Sequence, residues 1–228
     1  MFLMNIILLF TVGSIIGVMV ETIYIYLVAG RLESRRGMVY GPFNQVYGFG
    51  TVLLTTLLEP LAGESKLALF LGSAVLGGLF EALCSFFQEK AYGTVSWEYS
   101  EQRLSLMGGR TSATYMLFWG VLGTVYIRVI HPWLFGLFGK IPLSVKVPVV
   151  LALTVFFIYN LWLSNAAVRR WNRRLKGKPV SGSLDIWLDE KFPDARMQKL
   201  YPSMVPAKRL EKPKHLDRAQ KEAPVATE

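Results

Sequence analysis

The stretch Asn5–Val28 decides the fold of this chain, and it reads NIILLFTVGSIIGVMVETIYIYLV. It is long enough to cross a bilayer, which takes about 20 residues of helix. Inside it lies Gly13-x-x-x-Gly17-x-x-x-Glu21, in which small residues at helical spacing lead to one acid. A carboxylate inside a bilayer costs at least about 2.5–3.5 kcal/mol on insertion scales, so it normally faces a partner, a cavity or water. Glu21 is therefore the first candidate for function.

The same pattern recurs further along the chain as Ser73-x-x-x-Gly77-x-x-x-Glu81, again inside an apolar stretch. Each stretch is followed by an aromatic-Gly signature, YGFGTV at 47–52 and WGVLGTV at 119–125. Both units begin in the same orientation. The pattern therefore predicts a tandem two-helix repeat, with its two copies related by an axis along the membrane normal.

The composition indicates an all-α, polytopic integral membrane protein. Hydrophobic residues make up 52% of the 228 residues, and the mean hydropathy is +0.36, which is too apolar for a soluble domain. The apolar residues form blocks, which predict about five transmembrane helices. These run over Asn5–Val28, Val39–Leu61, Lys66–Glu89, Ser112–Phe135 and Val147–Asn165. Alternatively, residues 132–146 dip into the outer leaflet as a re-entrant piece.

The basic residues predict the topology. Of the net charge of +9, most comes from residues 169–228, which hold 15 Lys and Arg against 8 Asp and Glu. Such a flank directly after a span is typical of the cytoplasmic side, where it also attracts anionic lipid. We therefore expect a transmembrane domain over residues 1–168 and a basic, cytoplasmic, partly disordered tail over 169–228. The N-terminus is expected outside, in a cell membrane.

Several classes of function lack their motifs. The single cysteine and two histidines have no zinc spacing, and there is no Gly-x4-Gly-Lys-Ser/Thr phosphate loop. We therefore expect no metal, no cofactor and no ATP hydrolysis by this chain. Nucleic-acid binding is not expected either, because no aromatic-basic module accompanies the charge.

The repeat predicts that Glu21 and Glu81 meet two arginines, Arg36 and Arg110, near the inner leaflet. Glu81, Ser85 and Gln88 share a helix face and form a polar stripe toward the cytoplasm. One interpretation is structural, with each acid paired to an arginine. The other is a site or pathway mouth for a cation, a proton or a charged head group.

Two further stretches carry unusual residues. Gly41-Pro42 precedes Asn44, Gln45 and Tyr47, and proline there predicts a helix start whose free N–H groups could face an anion. The alternative is a plain helix start with packing glycines. The loop sequence Trp97-Glu98-Tyr99-Ser100 suits a membrane interface, with Glu98 joining the arginines. The candidate site residues are Glu21, Arg36, Gly41, Pro42, Asn44, Gln45, Tyr47, Glu81, Gln88, Trp97, Glu98, Tyr99 and Arg110.

These motifs, in this order, resemble the CmpB-type family of bacterial membrane proteins. The resemblance rests on Gly-x3-Glu, on Arg-Gly-x3-Gly-Pro-x3-Tyr-Gly-x-Gly, on a later spanning Glu, on Trp-acid-Tyr-Ser and on Gly-Arg, between Ile6 and Pro132. Two positions depart from it: Gln45 stands where the family usually has proline, and Glu98 where it has aspartate. The family is catalogued with ABC transporters of type IV, so the resemblance implies a transport component.

We therefore expect a membrane subunit of a transport system, an ABC permease without its own ATPase, and not an enzyme. Its expected partners are the lipid bilayer, a separate nucleotide-binding ATPase and a second copy in a homodimer. The alternatives are an intramembrane protein acting on lipid head groups and a non-transporting regulator. In the tail, residues 183–191 and 195–201 are predicted as short helices capped by Ser183 and Asp194. Trp187 and Phe192 would then lie on the membrane surface, and the chain from Pro202 is predicted to be disordered.

Overall fold

The computed structural model describes residues 1–63 and 65–207, which form a helical bundle with a compact, basic C-terminal part. The helices are α1 Phe2–Ala29, α2 Gln45–Leu58 with a 3-10 turn Glu59–Leu61, α3 Lys66–Tyr92, α4 Ala113–Val125 with a π-helical turn Tyr126–Ile130, α5 His131–Lys140, α6 Leu143–Leu175, α7 Ser183–Lys191 and α8 Asp194–Leu200. Two short antiparallel ladders pair β1 Thr94–Val95 with β4 Val205–Pro206, and β2 Ser105–Leu106 with β3 Thr111–Ser112. A 3-10 turn, Met107–Gly109, joins β2 to β3.

Four helices of the described chain are long and apolar enough to cross a membrane. They are Phe2–Ala29, Lys66–Tyr92, Ala113–Lys140 and Leu143–Leu175. The prediction of an all-α polytopic membrane protein is confirmed, but the predicted second span, Val39–Leu61, is not among the four. Its helix α2 has 14 residues, or about 21 Å at 1.5 Å per residue, against a hydrocarbon core of about 30 Å.

The fourth span is one continuous helical rod. α4 passes through the π-helical turn into α5, so residues 131–140 extend the span. The re-entrant alternative for 132–146 is therefore wrong. Pro132 does not break the rod, because it stands in the first turn of α5. Proline has no N–H to donate, and the π-helical turn just before it does not require the ordinary α-helical hydrogen bond there.

The helices pack as two matching antiparallel pairs, α1 with α2 and α3 with α4. In the first pair, Gly17 faces the ring of Tyr47 and Gly48 faces Phe10. In the second pair, the residues at the same places are Gly77 against Trp119 and Gly120 against Phe70. Each α3 residue lies 60 positions after its α1 counterpart, and each α4 residue 72 positions after its α2 counterpart. The tandem two-helix repeat is therefore visible in the packing.

The α1–α2 loop (residues 30–44) enters the bundle without forming a helix. Its Met38 and Val39 are almost fully buried, and Asn44 N–H donates to the carbonyl oxygen of Ser14, near the middle of α1, at 3.1 Å. From α6, Asn160 bonds both backbone groups of Tyr40, at 3.2 and 2.8 Å. Non-helical backbone is stable at membrane depth only where protein or water covers it, and here α1 and α6 supply the cover.

The basic end of the molecule is the end that carries the α1–α2 loop, the α3–α4 loop (residues 93–112) and helices α7 and α8. Helices α7 and α8 fold back on the end of α6. They bury a core that includes Leu163, Trp171 and Phe192. Arg170 binds both oxygens of Asp189 at 2.8 and 2.5 Å, and these bonds hold the pKa of the Asp189 carboxyl at about 2, so it is ionised at neutral pH.

Several predictions for the tail change. The two short helices lie where they were predicted, but their caps are Gly182 and Pro193 instead of Ser183 and Asp194. Phe192 is 1% exposed, so it does not lie on a membrane surface. The chain also remains ordered after Pro202, where Val205–Pro206 pairs with Thr94–Val95. The predicted disorder of residues 208–228 falls outside the described residues.

Candidate functional site

Glu81 is the most buried acid of the membrane-spanning helices, with 8% of the residue exposed. Its two carboxylate oxygens accept hydrogen bonds from the α3–α4 loop and the strand that ends it. Tyr99 Oη donates to one oxygen at 3.0 Å, and Thr111 Oγ1 donates to the other at 2.8 Å. The loop thus folds back over Glu81 and satisfies a carboxylate that would otherwise be unpaired in an apolar helix.

Glu21 approaches the same place from the other repeat. Its carboxylate interacts electrostatically with Arg35 and with Glu81. Nearby, Tyr47 and Trp119, the repeat-related aromatic residues, stack with ring centroids 6.1 Å apart. The two aromatic rings are thus a repeat-related pair that meets at the contact between the two helix pairs, and the two repeat-related acids interact electrostatically across it.

The arginines are arranged differently from the prediction. Arg110 pairs with Glu89, two turns below Glu81, and reaches Ser85 at 3.4 Å. Near Glu21 the arginine is Arg35, one residue before the predicted Arg36. Within the described residues, no arginine lies within 4 Å of either acid. The predicted salt bridge of each acid to an arginine is therefore not observed, although Glu81 still holds the α3–α4 loop through Tyr99 and Thr111.

The predicted polar stripe on α3 is confirmed as a line of contacts to the α3–α4 loop. Below Glu81, Ser85 meets Arg110, and Gln88 donates to Ser96 at 2.8 Å. Trp97 Nε1 donates to the carbonyl oxygen of Arg110, so this tryptophan fastens the loop to itself. Glu98 does not join the arginines, because its carboxylate accepts from the backbone N–H of Ser100 at 2.7 Å.

The predicted helix start at Gly41-Pro42 is also wrong. α2 begins at Gln45, and the Asn44 side chain caps it by accepting from Val46 N–H at 3.0 Å. Gly41 has a φ of 72°, which favours glycine, and Pro42 is exposed. The amide oxygen of Gln45 is buried without a hydrogen-bond partner, close to Gly37. Because Asn44 occupies the helix N-terminus, the anion interpretation has no support there.

Sequence reasoning missed four residues of this cluster. Thr111 binds Glu81, Arg35 faces Glu21, and Tyr115 stacks on Tyr99 with centroids 4.3 Å apart. Tyr24 of α1 meets Phe118 of α4 edge-on, with ring centroids 6.4 Å apart, and so joins the two repeats. None of the four stands at a position that the small-x3-small-x3-Glu pattern marks. Arg35 and Thr111 depend in addition on loop geometry, which the sequence pattern does not encode.

A second polar group lies at the opposite end of the bundle. Glu59, Arg128 and His131 line a cavity of about 580 Å³ beside the π-helical turn. His131 is 5% exposed, and its Nε2 atom has no hydrogen-bond partner. Tyr126 and Thr55 join their hydroxyl groups at 2.6 Å nearby. Within residues 1–63 and 65–207, no group of three His, Cys, Asp or Glu side chains is placed to hold a metal ion.

The fold and the site define a polytopic α-helical membrane protein in which two repeat-related acids meet inside the bundle. Residues 8–165 match the model of the family described as "Putative ABC-transporter type IV". Because the match covers more than half of the chain, the protein belongs to this family of transport-related membrane proteins, and the resemblance read from its motifs is confirmed. No curated protein and no solved structure matches the chain.

Proposed function

We propose that this chain is the membrane-embedded permease subunit of an ABC transport system and that it works by binding and passage, without catalysis of its own. Its family membership supports a transport role. The full sequence has no phosphate-binding loop, so the energy would come from a nucleotide-binding ATPase on another chain.

The observation that carries the proposal is the electrostatic interaction between Glu21 and Glu81, two repeat-related acids inside the bundle. Two carboxylates that interact inside an apolar bundle repel each other when both are ionised. A proton, a small cation or the cationic group of a substrate between them would relieve this repulsion. Arg35 on the side of Glu21 would balance the charge when the site is empty. The substrate or its coupling cation would therefore pass the Tyr47–Trp119 pair.

The basic end would face the cytoplasm, following the positive-inside rule. α7 and α8 would then present a folded surface to the ATPase, since the Arg170–Asp189 pair fixes them to α6. In this arrangement the N-terminus lies outside. Two copies would complete the transporter, because the ATPases of such systems act in pairs.

Glu81→Gln is expected to leave the protein folded but to abolish the proposed transport function. The Tyr99 and Thr111 hydroxyls can rotate to meet an amide, so the hydrogen bonds are retained, but the charge is lost. The measurement is the abundance of folded protein in the membrane beside the growth or uptake phenotype of a deletion strain. Glu98→Gln, which changes an acid outside the site, is the matched control. If Glu81→Gln restores the phenotype fully, the carboxylate charge has no part in function.

The partner is tested by purification of the tagged, full-length protein from its own membrane in mild detergent, with quantitative mass spectrometry of what accompanies it. A nucleotide-binding ATPase in constant ratio to the bait is the expected result. Its reproducible absence from folded bait, after gentle cross-linking as well, would overturn the ABC assignment. The Glu21–Glu81 site would then belong to a stand-alone carrier.

A further inference from the structure

The basic end holds a cavity that the proposed transport function does not use. Its volume is about 530 Å³, and it lies between the α1–α2 loop and α8. Its walls are Leu32, Glu33, Ser34, Arg36, Arg196, Lys199, Leu200 and Pro202. The two walls are fixed to each other, because Ser34 Oγ donates to the carbonyl oxygen of Leu200 at 3.0 Å and Arg35 Nη1 donates to Ser203 Oγ at 3.0 Å.

The charge of this cavity is strongly positive. Three of its residues, Arg36, Arg196 and Lys199, are cationic, and in the described chain no acidic group lies within 4 Å of their charged atoms. The single acid of the wall, Glu33, is already engaged, since it binds Arg31 at 2.7 Å and Arg35 at 3.1 Å.

One of the three cationic side chains, Arg196, is also held in place. The Arg196 guanidinium lies over the ring of Phe192 at 4.8 Å and donates to the carbonyl oxygen of Lys191 at 2.9 Å. These contacts leave its other N–H groups available to a ligand, because a guanidinium carries five donors. Three clustered cations in a concave site, with donors to spare, are suited to the several oxygens of a phosphate group.

The position of the cavity indicates where such a phosphate would come from. The cavity opens beside Leu32, which is 76% exposed, directly after the end of α1. The last turns of α1 carry a continuous exposed apolar surface, formed by Ile23, Tyr26, Leu27 and Val28. Phosphate-binding cations next to an apolar helix surface are the arrangement that an anionic phospholipid requires, with its head group in the cavity and its chains along the helix.

We propose that Arg36, Arg196 and Lys199 bind the phosphate of an anionic phospholipid at the basic end of α1. Because the cavity joins α8 to the α1–α2 loop, a bound head group would hold these two segments together. Lipid occupancy would thus stabilise the same loop that enters the bundle beside the Glu21–Glu81 site.

The test uses the full-length protein in non-ionic detergent and native mass spectrometry during titration with phosphatidylglycerol or with phosphatidylcholine of the same acyl chains. The wild type is expected to bind phosphatidylglycerol more tightly. The double variant Arg36→Gln/Lys199→Gln is expected to lose about thirtyfold of that affinity, since each basic residue near the head groups contributes about fivefold. Its affinity for phosphatidylcholine should not change.

The matched control is Arg103→Gln/Lys178→Gln, which removes the same charge from exposed positions outside the cavity. An equal loss of affinity in both double variants would reduce the effect to general charge attraction and overturn the proposal. A competition arm separates lipid from soluble ligands. If excess inorganic phosphate or glycerol 3-phosphate displaces the lipid, the cavity is a site for a soluble phosphate compound, and the lipid assignment is wrong.

Discussion

Gly77→Leu is expected to prevent assembly of the second helix pair. A β-carbon at Gly77 would already overlap the Trp119 ring, and leucine adds three more carbon atoms there. The contact cannot relax easily, because Trp119 is stacked on Tyr47 of the first pair. In lipid, helices associate through close packing at small residues, so the loss is expected to be about 3 kcal/mol or more. The measurement is the yield of monodisperse protein and its resistance to unfolding in detergent.

Two controls make this result specific. Gly136→Leu introduces the same side chain at a helical glycine where a β-carbon would meet nothing within 4 Å, and it should leave yield and stability unchanged. Gly17→Leu, at the repeat-related position against Tyr47, should reproduce the damage of Gly77→Leu. A well-folded Gly77→Leu protein would show that the α3–α4 contact is not as close as described.

Asn160→Leu is expected to give the second large effect. Asn160 is fully buried, and its amide bonds both the N–H and the carbonyl oxygen of Tyr40. Leucine has a similar size but no polar atoms, so both backbone groups would be left unpaired inside the bundle. Each unpaired buried group costs about 1–3 kcal/mol, which gives roughly 2–6 kcal/mol in total. The measurement is unfolding by a denaturing detergent, together with the rate of tryptic cleavage at Arg35 and Arg36.

The control for this prediction lies on the same helix. Asn165→Leu removes one exposed hydrogen bond, from Tyr92 Oη at 2.7 Å, and should change stability only slightly. Tryptic cleavage of Asn160→Leu should rise much more than its overall unfolding, because the α1–α2 loop is released first. If both variants behave alike, the amide of Asn160 does not hold the loop.

The bundle was readable from the sequence where one signal dominates. Apolar blocks located α1, α3, the α4–α5 rod and α6, because a helix in lipid satisfies its own backbone. The small residues before Glu21 and Glu81 located the helix contacts of both repeats. The second predicted span, Val39–Leu61, is not confirmed, because hydropathy does not distinguish a helix from buried coil and α2 begins only at Gln45. Residues 37–44 are apolar enough to suggest a span, yet their backbone groups bond to α1, to α6 and to Phe43 within the same loop.

Part of the candidate site could be predicted from the sequence, namely the two acids together with Tyr47 and Tyr99. Glu21 and Glu81 are conspicuous in any apolar stretch, and the repeat predicted that they meet. Their partners come from segments whose path depends on turn geometry, such as Thr111 after the turn at Gly108 and Gly109, both of which have positive φ. For the same reason Arg35 takes the place assigned to Arg36, since a shift of one residue in a loop reverses which side chain points inward.

The bond between Tyr40 and Asn160 joins residues 120 positions apart. A ribosome that adds about 5–20 residues per second needs roughly 6–24 seconds to cover that distance. During this interval the α1–α2 loop has been synthesised, while the helix that completes its hydrogen bonds has not. Until Asn160 is synthesised, the backbone N–H and carbonyl groups of Tyr40 therefore lack these two hydrogen-bond partners. A ribosome that stalls before α6 would leave a product whose α1–α2 loop lacks its hydrogen bonds to α6. We expect such a product to be a substrate for the proteases that clear unfinished membrane proteins.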